Sequence, residues 1–251
     1  MSRIHNFFHD TGKDQLFCTL IGDSSTSNKC TIYLAPLFEE RMWSQRVAFN
    51  FALELWKNQR QPVFIFDYFG YGESDGDTED FTLLRFRQDL RQILTLLKNK
   101  YGFLHFTLWG IRTGAALAVE GLSVDSSVVS LVLWSPVLNL NKYVYSQLRS
   151  TIASQATVFR KVHAKRDDIL NELLEHEKCE CEGYLLNHID GYRIGRAFYQ
   201  EILQKDHNNL AQKLNLPTLL IDMISPIDSK KHLGLTELQE AEIEKLTYKK
   251  V

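Results

Sequence analysis

Cysteine is scarce in this 251-residue chain, which holds four: Cys18, Cys30, Cys179 and Cys181. Four scattered cysteines cannot form the disulfide framework that staples small secreted domains. No apolar run approaches the roughly 20 residues that a membrane helix requires, so we expect no membrane span. The first 13 residues carry charged and histidine side chains instead of the apolar run of a signal peptide, which favours a cytoplasmic protein.

An excess of charge of one sign is also lacking, since 29 basic residues face 31 acidic ones and the net charge is −2. This balance gives no electrostatic reason to expect a nucleic acid as a partner. The basic run at 160–166 is short, and we interpret it as a solvated surface. With 44% hydrophobic residues, the chain can fill the core of one large α/β domain.

The sequence has few cysteines and histidines at the spacing that metal sites use. Cys179 and Cys181 form a Cys-x-Cys pair, with His176 and His188 nearby. Structural zinc sites use four ligands at regular spacing, and this pair has no second pair to complete it. A zinc site stays open as an alternative, but we expect ordinary cysteines, no metal and no cofactor.

Short apolar runs alternate with longer segments of helical periodicity. Strands are predicted at 16–21, 30–35, 63–66, 103–109, 127–134 and 216–221, and helices at 43–58, 83–100 and 113–122. This alternation, with right-handed crossovers, predicts an α/β protein with a doubly wound, mostly parallel sheet. Ligands of such sheets bind outside the carboxyl ends of the strands.

The segment 141–206 differs, because it shows helical spacing and no convincing strand. We therefore predict a sheet-forming core of residues 1–140 and 207–251, interrupted by a helical insertion of residues 141–206. A capping box at 236–239 predicts the start of a last helix. Residues 247–251 could begin a final strand.

The segment 106–118 is the most informative part of the sequence. An apolar strand pattern leads into Gly110-Ile111-Arg112-Thr113-Gly114, and a helix of small residues follows. This Gly-x-X-x-Gly turn has the layout of a nucleophile elbow, which lifts one side chain above a parallel sheet. The lifted residue is normally serine, but here it is Arg112. A guanidinium stays protonated at any ordinary pH and cannot attack a carbonyl.

Three motifs carry a family resemblance: Ala-Pro-Leu-Phe-Glu-Glu at 35–40, Gly-x-Gly-x-Ser at 70–74, and the elbow at 110–114. Their order resembles the α/β-hydrolase superfamily, which implies an oxyanion loop at 35–40 and a helical cap at 141–206. The chain also resembles the bacterial proteins called exosortase A system-associated hydrolase 2. The resemblance rests on Pro-x-x-Glu-Glu, Trp-Gly-x-Arg-x-Gly and Gly191-Tyr192. Members of that family accompany exopolysaccharide production, so the resemblance implies exopolysaccharide-pathway proteins as partners.

A hydrolase triad runs along this fold in the order nucleophile, acid, histidine. Arg112 fills the first position. Ser225 stands at the usual register of the acid, which leaves Asp222 or Asp228 as stand-ins, and the last histidine is His232, only a few residues on. We therefore predict that no usual triad survives. The remaining candidates for a rebuilt catalytic site are Ser135, Asp228 and His188.

Two roles are open to Arg112. Its planar fork, beside the positive N-terminus of the following helix, suits a carboxylate, phosphate or sulfate. Alternatively, it forms an internal salt bridge with Glu39 or Glu40 and plugs the former site. Backbone N–H groups at the elbow and in the 37–38 turn are expected to be free to donate to an anion. The predicted ligand-binding residues are Arg112, Thr113, Leu37, Phe38, Glu39 and Glu40.

The sequence therefore favours a hydrolase-like protein that lacks the usual triad activity and binds a small acidic molecule or saccharide. One alternative is an atypical hydrolase of ester or acyl-sugar substrates. A second alternative is a protein-interaction module, with the helical cap and the plugged cleft as its docking surface.

Overall fold

The structure, a computed structural model, describes residues 4–25, 27–204, 216–222 and 246–250. The strands, in chain order, are β1 Ile4–Asp10, β2 Gln15–Ile21, β3 Lys29–Leu34, β4 Val63–Phe66, β5 His105–Ile111, β6 Val128–Trp134, β7 Glu180–Cys181, β8 Tyr184–Leu185, β9 His188–Ile189, β10 Tyr192–Arg193, β11 Thr218–Asp222 and β12 Leu246–Lys250. Eight of these strands form one sheet, and the four shortest form two hairpins.

The sheet has the strand order β1-β2-β4-β3-β5-β6-β11-β12. Every neighbouring pair from β4 to β12 is parallel, whereas β2 pairs antiparallel with both β1 and β4. Strands buried on both faces need a nearly continuous apolar sequence, and Val63–Phe66 of β4 is such a run. The predicted doubly wound, mostly parallel sheet is therefore confirmed.

Helices cover both faces of the sheet. Their bounds are α1 Glu40–Gln59, α2 Leu83–Tyr101, α3 Thr113–Gly121, α4 Leu140–Val158, α5 Arg166–His176 and α6 Arg196–Gln204. On one face Ala48 of α1 packs in a cluster with Trp109 of β5. On the other face Leu90 of α2 and Leu117 of α3 belong to the main core cluster. The elbow between β5 and α3 thus lies at the carboxyl edge of a sheet that is covered from both sides.

The segment 141–206, which we call the cap, holds α5, α6 and all of α4 except its first residue, and it also contains strands that we did not predict. The pairs β7–β8 and β9–β10 are antiparallel hairpins with strands of two residues each. Two-residue strands are too short to show an alternating pattern, so periodicity could not find them. The turn residues Glu182-Gly183 and Asp190-Gly191 all have positive φ, and an Asp-Gly pair is a known hairpin signal.

The insertion packs against the core through its last helix. The Glu201 carboxylate on α6 accepts hydrogen bonds from the N–H groups of Leu83 and Leu84, the latter at 3.1 Å. It thereby caps the first turn of α2, whose N–H groups have no partners within their own helix. Phe198 of α6 lies edge-on to Phe81, with ring centroids 5.5 Å apart. These contacts pack α6 against the start of α2 and the loop before it.

The two ends of the chain add strands to the sheet. Sequence patterning did not find β1, because most of its residues are exposed and it lacks a continuous apolar run. The final strand that we expected from residue 247 is present as β12, Leu246–Lys250, and pairs with β11. The predicted helix from residue 236 lies outside the described residues. None of the helices in the described ranges has the length and apolar content to cross a bilayer.

Candidate functional site

The elbow places Arg112 at a sharp bend between β5 and α3. Arg112 has φ 53° and ψ −120°, a backbone conformation that is uncommon for any residue with a side chain. Its N–H donates to the Trp134 carbonyl at 3.0 Å, and its own carbonyl accepts from Ala115 and Val137, each at 3.0 Å. Three backbone bonds thus hold the strained residue, and its side chain projects from the edge of the sheet.

Two glycines make this bend possible through close backbone contact. A Cβ on Gly114 would overlap the carbonyl oxygen of Leu34 in β3, and a Cβ on Gly110 would overlap the carbonyl oxygen of Gly114. The helix therefore starts directly against two neighbouring strands. The Gly-x-X-x-Gly pattern is a packing requirement of the elbow, whatever residue stands at its tip.

Replacing Gly114 with alanine is expected to lower the free energy of unfolding by about 1–3 kcal/mol, because the new methyl group meets fixed backbone. Gly121→Ala, in the same helix, is the matched control. Its methyl group meets only the side-chain ends of Leu90 and Leu108, so we expect a smaller loss. Urea unfolding followed by circular dichroism measures both, and equal losses would contradict the close-contact explanation.

Arg112 forms an ion pair with Glu40 at the first turn of α1. Its Nη2 lies 3.1 Å and its Nε 3.3 Å from the same carboxylate oxygen, Oε1 of Glu40. The Arg112 side chain is 42% exposed and that of Glu40 is 26% exposed. An ion pair this accessible contributes little to stability. Of the two carboxylates that the sequence offered, Glu40 pairs with Arg112, whereas Glu39 lies at the N-cap of α1.

The cap supplies a residue that the sequence did not identify. Tyr143, in the first turn of α4, stacks on Phe38 with ring centroids 6.4 Å apart. Burial raises the pKa of Tyr143, and the neighbouring charge of Glu40 raises it further. A neutral phenol therefore lies beside the Arg112–Glu40 pair over the whole physiological pH range. Only tertiary structure brings this residue to the elbow, so no local signal marks it.

A backbone donor expected in the oxyanion loop already has a hydrogen-bond acceptor. The N–H of Leu37 donates to Oγ1 of Thr113 at 2.8 Å, and both residues are fully buried. The expectation that the Leu37 amide is free to bind an anion is therefore wrong, because the residue after Arg112 carries a hydroxyl of its own. Phe38 is buried beneath the cap with φ 58°, and its carbonyl accepts from the Arg41 N–H.

Replacing Thr113 with valine is expected to cost about 1–3 kcal/mol of stability, because it leaves the buried Leu37 N–H without its acceptor. Valine keeps the shape of threonine, so packing changes little. Thr113→Ser retains the hydroxyl and should stay within about 1 kcal/mol of the wild type. Chemical denaturation distinguishes them, and a valine variant as stable as the serine variant would refute the role of this hydrogen bond.

The loop after β4 is held by Asp67. Its carboxylate accepts from the Glu73 N–H at 3.0 Å and pairs with the Arg41 guanidinium. The Ser74 hydroxyl donates to the Asp67 carbonyl at 2.7 Å and accepts from the Phe17 N–H at 2.9 Å. Arg41, one residue after Glu40, is thus paired with this loop, and no local sequence pattern indicates that pairing.

Two of the three candidates for a rebuilt catalytic site lie within the described residues, and they belong to different elements. Ser135 directly follows β6 with φ 44°, and its N–H donates to the Ile221 carbonyl at 2.7 Å. His188 belongs to the cap hairpin β9–β10, where its Nδ1 accepts from the Gly191 N–H at 3.2 Å. Burial lowers the pKa of His188. Asp228 lies outside the described residues.

Most of the chain matches the model of one protein family. The family described as Serine aminopeptidase, S33, matches residues 43–222, which is more than half of the chain. The chain belongs to this family. The matched part contains the elbow, the cap and β11. A search of curated proteins finds no match.

Solved structures of hydrolases share the fold of this S33 family member. A putative hydrolase from Agrobacterium vitis S4 gives a TM-score of 0.65 at 14% identity, covering 100% of this chain and 90% of the other. Est1E from Butyrivibrio proteoclasticus, with ferulic acid bound, gives 0.67 at 11% identity, covering 98% and 88%. An esterase from Pyrococcus furiosus gives 0.63 at 16% identity, covering 100% and 81%. At these identities the similarity establishes the α/β-hydrolase fold and a hydrolase-like scaffold.

Proposed function

We propose that this S33 family member does not hydrolyse a substrate with a usual triad, and that it binds a small acidic molecule or an acidic saccharide at Arg112. The observation that carries the proposal is the position of the guanidinium at the elbow tip, where a hydrolase presents its nucleophile. A permanent cation cannot attack a carbonyl, but it binds carboxylates and phosphates well.

The geometry of the ion pair leaves room for a ligand. Arg112 uses Nε and Nη2 on a single oxygen of Glu40, and its side chain is 42% exposed. A guanidinium has five N–H donors in all, so a second anion can reach the remaining ones. Each charge-assisted hydrogen bond contributes about 1.5–3 kcal/mol at most, less at an exposed site.

The charges near the elbow balance. The N-terminus of α3 adds about half a positive charge to the full charge of Arg112, and the N-terminus of α1 adds about another half. Glu40 and Glu39 each remove one unit, so the sum is close to zero. Glu40 therefore competes with a ligand, and binding depends on the directed N–H donors of the guanidinium, not on an excess of positive charge.

Catalysis by the usual route has little support. The Leu37 N–H, a donor to the oxyanion in this fold, is occupied by the Thr113 hydroxyl. Nδ1 of His188 is used within its own hairpin. The atypical hydrolase of esters or acyl-sugars therefore remains the weaker alternative, and no observation favours the interaction module.

The motif resemblance narrows the class of ligand. Pro36-x-x-Glu39-Glu40 and the arginine elbow are similar to proteins that accompany exopolysaccharide production. A carboxylate group on a saccharide would suit the planar guanidinium of Arg112. An acidic sugar is therefore our first choice of ligand, and exopolysaccharide-pathway proteins are the proposed partners.

The test measures binding of glucuronate and of inorganic phosphate by calorimetry to the full chain. Arg112→Gln should weaken binding at least about 10-fold, since the loss of one charge-assisted hydrogen bond corresponds to that factor. Glu40→Gln should strengthen it several-fold, because the competing carboxylate is gone. Arg46→Gln, which removes an exposed cation from the same helix as Glu40, is the matched control and should leave binding unchanged.

Two outcomes would overturn the proposal. Equal binding by the wild type and Arg112→Gln would show that the guanidinium is not the site. Turnover of short acyl p-nitrophenyl esters by the wild type, lost in Ser135→Ala, would show that the chain is an atypical hydrolase.

A further inference from the structure

Three potential metal ligands meet in the cap, away from the elbow. They are His163, in the loop between α4 and α5, and Cys181 and Glu182, at the end of β7 and the start of its turn. One ligand atom from each residue lies within 4.8 Å of the other two. We call these three residues the cap cluster. The two histidines close to Cys181 in the sequence make other contacts. His188 accepts a hydrogen bond from the Gly191 N–H, and His176 lies near Glu172.

The histidine side of the cap cluster is fixed by a buried amide. The Gln155 side chain is 1% exposed, and its Oε1 accepts from the N–H groups of His163 and Ala164, each at 2.9 Å. The Gln155 amide donates in turn to the Ala164 carbonyl at 2.8 Å. The imidazole lies edge-on to Phe159, with ring centroids 5.0 Å apart. The backbone at His163 is therefore held by Gln155, and its ring packs against Phe159.

The other side of the cap cluster is fixed by the hairpin β7–β8. Glu182 and Gly183 form its two-residue turn with φ values of 50° and 82°, which are the signs that a type I′ turn requires. Cys181 pairs with Tyr184 across the turn. The ring of Tyr184 lies 5.4 Å from that of Phe159. The same aromatic side chain therefore contacts both halves of the cap cluster.

The imidazole nitrogen that faces the hairpin lacks a hydrogen bond. Nε2 of His163 is buried, and no residue in the described part of the chain donates to it or accepts from it. Its distance to Oε1 of Glu182 is 3.9 Å. That distance is too long for a hydrogen bond but close to the separation of two ligands on one metal ion. A buried polar atom left unpaired carries a free-energy cost that coordination would remove.

We propose that the cap cluster binds one zinc ion through Nε2 of His163, Sγ of Cys181 and a carboxylate oxygen of Glu182. With zinc–nitrogen and zinc–sulfur distances of about 2.0 and 2.3 Å, tetrahedral ligands lie about 3.3–3.6 Å apart, so shifts of about 1 Å close the site. A thiolate and an imidazole select zinc over magnesium or calcium. Binding converts the Cys181 thiol to a thiolate and releases its proton to solvent.

The zinc ion would cross-link two parts of the cap. It would join the end of α4 to the hairpin β7–β8, two parts that the chain connects only through α5. Three protein ligands leave one coordination position for water. The inference is independent of the function proposed for Arg112, since none of its residues contacts the elbow.

The test titrates the chelator-treated full chain with Zn²⁺ and with Co²⁺ under a phosphine reductant. We expect one equivalent of Co²⁺ to give a thiolate-to-cobalt absorption band that Zn²⁺ displaces. The band should vanish in Cys181→Ser and persist in Cys179→Ser, the matched cysteine control. Glu182→Gln, at an exposed turn position, keeps the side-chain length and removes the charge; it should weaken Zn²⁺ binding at least about 10-fold, the loss that changes outside the ligand set already cause.

The proposal fails if the wild type shows no saturable Zn²⁺ binding. It also fails if Cys179→Ser removes the cobalt band while Cys181→Ser keeps it, or if His163→Gln binds Zn²⁺ as tightly as the wild type. Circular dichroism confirms that each variant is folded, and His176→Gln, which alters an exposed histidine outside the cap cluster, should bind Zn²⁺ normally.

Discussion

The contact between Gly114 and the backbone of β3 is the constraint on which the site depends. Because α3 begins against the Leu34 carbonyl, the chain has no room for a gradual bend, and Arg112 must take positive φ. The same contact directs the first turn of α3 at the mouth of the site. The elbow is therefore built by its glycines, and its geometry does not depend on a nucleophile at its tip.

An arginine at that tip meets an electrostatic difficulty, since it adds a positive charge beside a positive helix end. The negative charge of Glu40 offsets the positive charge of Arg112. The ion pair adds little to the stability of the fold, because it is accessible to water. Glu40 itself is favourably placed in the first turn of α1. Glu40 thus neutralises Arg112 and also lies at the positive end of α1, so a ligand at the elbow must compete with this carboxylate for the guanidinium.

Local sequence patterns predicted the sheet, the main helices and the elbow, because each depends on neighbouring residues. The glycines at 110 and 114 lie within one turn, and the β4 strand is apolar throughout. The bond from Leu37 to Thr113 joins positions 76 residues apart, so no local pattern contains it. The choice of Glu40 over Glu39 depends on where α1 begins, which sequence periodicity locates only to within a few residues.

The elbow and the cap cluster lie near opposite ends of one helix, α4. Tyr143 stands in the first turn of α4 beside Arg112, and His163 follows its last turn. A helix of 19 residues is about 28 Å long. The Debye length at physiological salt is about 8 Å, so a metal ion near His163 would have little electrostatic effect on Arg112. Any influence of the cap cluster on the elbow would have to be mechanical, through the orientation of α4 over Phe38.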